Sequence, residues 1–182
     1  MPPLTVRSSR IAYRNPWLAV REDRFARPDG SEGLYGVVER PDYALAIPWD
    51  GERLWLVRQW RHPVGAWSLE FPQGGWDVGD GARGDAEALA RLELREETGL
   101  TAGHLRHLGS LWQAVGSSDQ AFDVFLATDL TPGEASPGVD EFGLAHLTMT
   151  PDELDVAIRD RRVRDCSTLA ALGLLDRAGG LP

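Results

Sequence analysis

The chain offers no convincing helix before Asp85, and what precedes it is a succession of short β-forming runs. Residues 4–14, 17–26, 34–40, 43–49 and 53–58 are rich in Val, Leu, Ile, Tyr and Trp, the side chains that suit a pleated, half-buried surface. Turn-formers separate them at Asn15-Pro16, Pro28-Asp29-Gly30, Pro41-Asp42 and Asp50-Gly51. The last predicts a hairpin between Ala44-Leu45-Ala46-Ile47-Pro48-Trp49 and Arg53-Leu54-Trp55-Leu56-Val57, since Asp-Gly favours the tight turn that a hairpin needs. A Gly-rich stretch from Gly74 to Gly84 leads to a helix over 85–98, with Asp85 as N-cap and Gly99 just past its end. Strands near 105–114 and 120–127 follow, then a Pro/Gly-rich loop over 131–143. Thr150-Pro151-Asp152-Glu153 is a capping box that opens a helix over 151–160, and a last helix spans 167–177 before Gly179-Gly180. Strands, one helix, more strands and terminal helices predict an α+β domain in layers.

The helix over 85–98 carries the chemistry. At about 100° per residue, Glu93, Glu96 and Glu97 fall within one arc, shared with Ala86, Leu89 and Ala90. Arg91 and Arg95 lie on the far side, where Glu87 can pair with Arg91 one turn away. The three carboxylates therefore sit on the apolar side, where they repel one another and lose hydration. A hard divalent cation relieves both costs, and oxygen ligands suit magnesium or manganese.

Composition narrows the classes further. A length of 182 residues suits one domain with a proper core. No apolar run approaches the roughly 20 residues of a membrane span, and Met1-Pro2-Pro3-Leu4-Thr5-Val6-Arg7 has no signal-peptide character. The single Cys166 excludes an internal disulfide and a cysteine zinc cluster, so a cytoplasmic location is expected. A net charge of -9 argues against nucleic acid as the main partner. All 19 basic residues are arginine, which excludes lysine Schiff-base chemistry and a P-loop lysine. His62, His104, His107 and His146 show no metal-ligand spacing.

Glu93-Leu94-Arg95-Glu96-Glu97-Thr98-Gly99-Leu100, with Leu69-Glu70-Phe71-Pro72-Gln73-Gly74-Gly75 upstream, resembles the Nudix box of the Nudix hydrolases. The match has departures: Leu92 stands where the pattern has arginine, and Gly84 where it has an isolated glutamate. Three extra residues lie between Gly75 and Glu93, placing an insertion in the loop over 76–84. Val57-Arg58-Gln59-Trp60-Arg61-His62-Pro63 and the tail Ile158-Arg159-Asp160-Arg161-Arg162-Val163-Arg164-Asp165-Cys166-Ser167-Thr168 are similar to the branch that cleaves ADP-ribose and nucleotide sugars.

The resemblance implies an α/β/α sandwich with a mixed sheet. It also implies an N-terminal antiparallel β region over 1–42, used in dimerisation and substrate binding, and a catalytic domain over 43–182. The implied reaction is Mg²⁺-dependent hydrolysis (Mn²⁺ substituting) of a nucleoside diphosphate linked to another group, giving a nucleoside monophosphate and a sugar phosphate. Glu93, Glu96, Glu97 and the carbonyl of Gly74 would hold metal, and Glu93 and Glu97 would be catalytic. Glu141, in a loop with Glu134 and Asp140, would be the base. Arg61 would meet a phosphate or the terminal sugar, Glu70 the sugar hydroxyls, and Trp17 the nucleobase. The expected partners are a small nucleotide and a second copy in a homodimer, because the aromatic N-terminal strands would otherwise leave open edges. A Nudix-fold ligand sensor with weak turnover, and a hydrolase of dinucleoside polyphosphates or coenzyme A, remain alternatives.

Overall fold

The computed structural model describes residues 4–76, 84–138, 141 and 143–182. The chain opens with β1 (Thr5–Arg14), β2 (Ala19–Ala26) and β3 (Glu32–Glu39), an antiparallel sheet in the order β1-β2-β3. It meets the rest of the molecule where Val38 bridges Ser118 and the Tyr35 hydroxyl donates to the carbonyl of Gly116 at 3.0 Å.

Two further sheets follow. β4 (Tyr43–Pro48), β7 (Gln73–Gly75), β8 (Thr101–Trp112) and β9 (Ala121–Thr131) form a mixed sheet in the order β7-β4-β9-β8, with β4 parallel to β9. β5 (Leu54–Arg61), β6 (Ala66–Glu70) and β10 (Ala145–Met149) form an antiparallel sheet in the order β10-β5-β6. The expected hairpin at Asp50-Gly51 is therefore half right. The turn is there: Asp50 N–H donates to the Arg53 carbonyl at 3.2 Å, and Gly51 has φ +100°. Beyond one bridge, Trp49 to Leu54, the strands part into different sheets. Both edges of β4 are taken by β7 and β9, and both edges of β5 by β10 and β6, so neither strand has an edge left for the other. β6, β7 and β10 lie outside the runs that the sequence marks as strands: β6 is short, β7 is mostly glycine and β10 follows a long loop.

Alternation along β4 sets the layers. Ala44 and Ala46 face α1 (Ala86–Thr98), packing with Leu89, Ala90, Leu94 and Phe125, while Leu45 and Ile47 face the opposite core with Leu56, Phe71 and Leu154. Small residues on one face let the helix lie close to the strand, and large ones fill the other side. α2 (Pro151–Arg159) and α3 (Cys166–Arg177) cover that second face, which gives the layered α+β arrangement. The caps are those foreseen. Asp85 accepts from Glu87 N–H at 3.0 Å, Gly99 ends α1 at φ 76°, and Thr150 and Glu153 close a reciprocal box on α2. Among the described residues no helix is long and apolar enough to cross a membrane.

α3 is tied to the segment after β6 by a buried bond in which Phe71 N–H donates to the Thr168 hydroxyl at 3.0 Å. Thr168 is fully buried. Thr168→Val keeps the shape and strands that N–H, so it should cost about 1–3 kcal/mol in urea unfolding. An unchanged midpoint would contradict the importance of this bond.

Candidate active site

The catalytic end of the molecule is assembled by α1, β7 and the loop after β9. Gly99 ends the helix and passes at backbone contact with Gly133, where no side chain would fit between the two segments. Ser136 N–H then donates to the Glu96 carbonyl at 2.9 Å. These contacts hold the loop against the last turn of α1 and bring Glu141 to Glu97. The Glu141 carboxylate also accepts from Gly138 N–H at 2.6 Å within its own loop. Asp140 and most of the insertion over 76–84 lie outside the described residues.

Glu97 is the centre of the site. It is 2% exposed. Burial, then the nearby carboxylates of Glu141 and Glu93, push its carboxyl well above the ordinary glutamate range. Opposing this, Gln73 N–H donates to Glu97 Oε2 at 3.0 Å. Glu93 lies over Gly74, and a Cβ there would overlap its carboxylate. The arrangement leaves the Gly74 backbone and the Glu93 side chain in contact, as a shared ligand set would need. Glu96 is half-buried, and the carboxylates acting on Glu97 are Glu141 and Glu93. Among the described residues no three His, Cys, Asp or Glu side chains are grouped as a ready-made metal cage. The donors that converge are two or three carboxylates with backbone oxygens nearby, a hard-oxygen set that fits a hydrated divalent ion.

On the far side of the helix, Arg91 bonds Glu87 at 2.8 Å, as the one-turn spacing foretold, and donates to the Ala102 carbonyl at 2.7 Å. It is turned away from the carboxylates and does not stand in for the arginine that Leu92 replaces. Arg95 is exposed.

Arg61 and Glu70 are paired with each other. Arg61 Nε donates to Oε1 at 2.9 Å and Nη2 to Oε2 at 2.5 Å, a two-pronged ion pair. Burial alone would raise the Glu70 carboxyl, but the guanidinium and the Ser68 and Gln73 bonds outweigh it and hold it below the ordinary value. Arg61 itself is raised by that pair, and it also feels Glu97. Glu70 is only 2% exposed, so its position is interior and not at an open pocket rim.

Two residues that sequence reasoning gave no role complete the network. Gln73 Nε2 donates to Glu70 Oε2 at 3.0 Å and to Asp165 Oδ2 at 3.3 Å. Asp165 is the N-cap of α3, accepting from Thr168 N–H at 2.8 Å. The only signals were the polar residue before Gly74 and the Asp-Cys-Ser-Thr start of the last helix. Trp17 does not join this cluster: it sits at the β1–β2 turn, 63% exposed, its N–H held by the Asn15 side chain at 2.8 Å.

Comparison with known proteins agrees with this layout. Residues 4–38 match the family model described as nucleoside diphosphate sugar hydrolase N-terminal domain, and residues 39–166 match the NUDIX domain. The chain is 26% identical over 173 residues to the methanol dehydrogenase activator of Bacillus methanolicus, covering 94% of this chain and 91% of that one. It is 28% identical over 150 residues to the ADP-ribose pyrophosphatase of Bacillus subtilis (81% and 79% covered). It is 35% identical over 124 residues to the ADP-ribose pyrophosphatase of Mycobacterium tuberculosis (68% and 58% covered). A crystal structure of an ADP compounds hydrolase superposes with a TM-score of 0.83 over 100% of this chain and 98% of that one, at 21% identity, which supports the fold. With the box helix, the Gly-rich turn beneath it and both family models in register, the chain belongs to the Nudix hydrolase family.

Proposed function

We propose that this Nudix hydrolase cleaves the pyrophosphate of a nucleoside diphosphate linked to a sugar, with ADP-ribose as the first candidate, releasing AMP and a sugar phosphate. The observation that carries the reading is the convergence of Glu93 and Glu141 on buried Glu97, beside the Gly74 backbone. The Arg61 guanidinium is bonded to Glu70. A hard divalent cation would offset the repulsion among the three carboxylates.

Glu93, Glu96 and Glu97 with the Gly74 carbonyl would hold Mg²⁺, and Mn²⁺ would substitute. Bound there, a divalent ion neutralises phosphate charge and acidifies a water. The protein's own groups do the rest. Glu141 takes the proton of the attacking water, being both close to Glu97 and on a loop. The Arg61–Glu70 pair presents a guanidinium of fixed orientation to the phosphate or sugar, and Trp17 stacks on the base. The name of the two pyrophosphatase relatives supports ADP-ribose as substrate. Incubation with ADP-ribose and Mg²⁺, followed by chromatography, should yield AMP and ribose 5-phosphate. No product from ADP-ribose or from any nucleotide sugar would overturn the reading.

The proposal includes a homodimer through the N-terminal sheet, where Val6, Ile11, Tyr13, Leu34 and Tyr35 are exposed. Exposed apolar side chains on these strands favour an interface. Light scattering that finds only a 20.0 kDa species at micromolar concentration would contradict it.

Two substitutions test the carboxylate cluster. Glu97→Gln keeps shape but removes the buried charge, so turnover should fall by at least about 10²-fold. Without metal the melting temperature should hold or rise. The sign follows from linkage: the folded chain holds the Glu97 proton more tightly than the unfolded chain, whose value is near 4.5. The metal-free fold therefore loses stability as pH rises above that value, and the substitution removes this loss. Gly74→Ala pushes on the Glu93 carboxylate, the flexible end of a side chain, so the fold should survive while turnover drops. Full activity in both variants would remove the metal site from this helix.

A further inference from the structure

Three carboxylates meet at a single uncharged residue. Gln73 gives its main-chain N–H to Glu97 at 3.0 Å and divides the two hydrogens of its carboxamide between Glu70 at 3.0 Å and Asp165 at 3.3 Å. Each of those carboxylates has another partner: Arg61 for Glu70, and Thr168 N–H at the start of α3 for Asp165. The chemistry demanded of the middle group is narrow. It must donate twice, reach both acceptors and carry no charge. A cation there would compete with Arg61 for Glu70, and an anion would repel both neighbours.

We infer that Gln73 is a positioning residue for substrate binding. Its carboxamide anchors the Arg61–Glu70 pair to the N-terminus of α3, while its backbone fixes the distance from that pair to Glu97. The amide touches no reacting atom; it acts through Glu70 on the direction of the Arg61 guanidinium. The inference rests on the reading of Arg61 as the substrate's contact. It goes beyond that reading by making α3, an element outside the carboxylate cluster, part of the substrate site.

Because the bond to Glu97 comes from the main chain, a side-chain substitution at 73 separates the two roles. Gln73→Met keeps the length and loses both donors. KM for ADP-ribose should rise about tenfold, as for the loss of hydrogen bonds to charged groups, while kcat stays within about threefold. Mn²⁺ affinity, read by titration of the metal-free protein, should be unchanged. Gln73→Glu is the second variant: a carboxylate there repels Glu70 and Asp165 where the amide donated to both, so KM should rise more than in Gln73→Met, again with kcat within about threefold. The dissociation constant of ADP-ribose in EDTA should follow KM in every variant.

An unchanged KM in Gln73→Met or in Gln73→Glu overturns the inference. So does a joint loss of Mn²⁺ affinity, kcat and melting temperature, which would mark a merely structural bond. Wild type that neither binds nor cleaves ADP-ribose would instead overturn the proposed function and this inference with it.

Discussion

Burying the Glu97 carboxylate beside Glu93 and Glu141 costs free energy. One backbone N–H from Gln73 reaches Glu97 and opposes that cost. The rest of the catalytic layer follows from keeping these groups together. α1 must lie close to β4, which the alanines Ala44 and Ala46 permit. The strand beneath must be glycine at 74, since the Glu93 carboxylate occupies the space of a side chain. The loop after β9 must touch the end of α1, which requires glycine at both 99 and 133. Alanine in β4 and glycine in β7 weaken strand propensity, and the close packing they permit explains them.

Around that centre, neighbouring charges are paired. Glu70 has Arg61 and Gln73, Asp165 has the start of α3, and Arg91 has Glu87 and the Ala102 carbonyl.

Much of this was legible in the sequence where the signal is local. The caps of α1 and α2, and the placement of Glu93, Glu96 and Glu97 on the helix's apolar side, depend on spacing within a few residues. The expected Glu87–Arg91 pair is of the same kind and is present. What depended on pairing between distant strands was not legible. Asp50-Gly51 marks a turn, but nothing near it says that β4 and β5 belong to different sheets. Arg61 and Glu70 could be read as separate ligand contacts, because the register of β5 on β6 sets Arg61 opposite Ala66 and Glu70 opposite Val57, and only the folded side chains bring the two together. Gln73 and Asp165 gave only local signals and none of their contact, since they are 92 positions apart and meet only when α3 docks.

The central claim is that the carboxylates at the end of α1 form a divalent-cation site. Electron paramagnetic resonance of Mn²⁺ titrated into the substrate-free protein tests it most directly, because it counts bound ion without relying on turnover. The wild-type protein should bind Mn²⁺ saturably, Mg²⁺ should displace it, and Glu97→Gln should lose most of that binding. Equal Mn²⁺ binding by both proteins, or none by the wild type, would contradict the account.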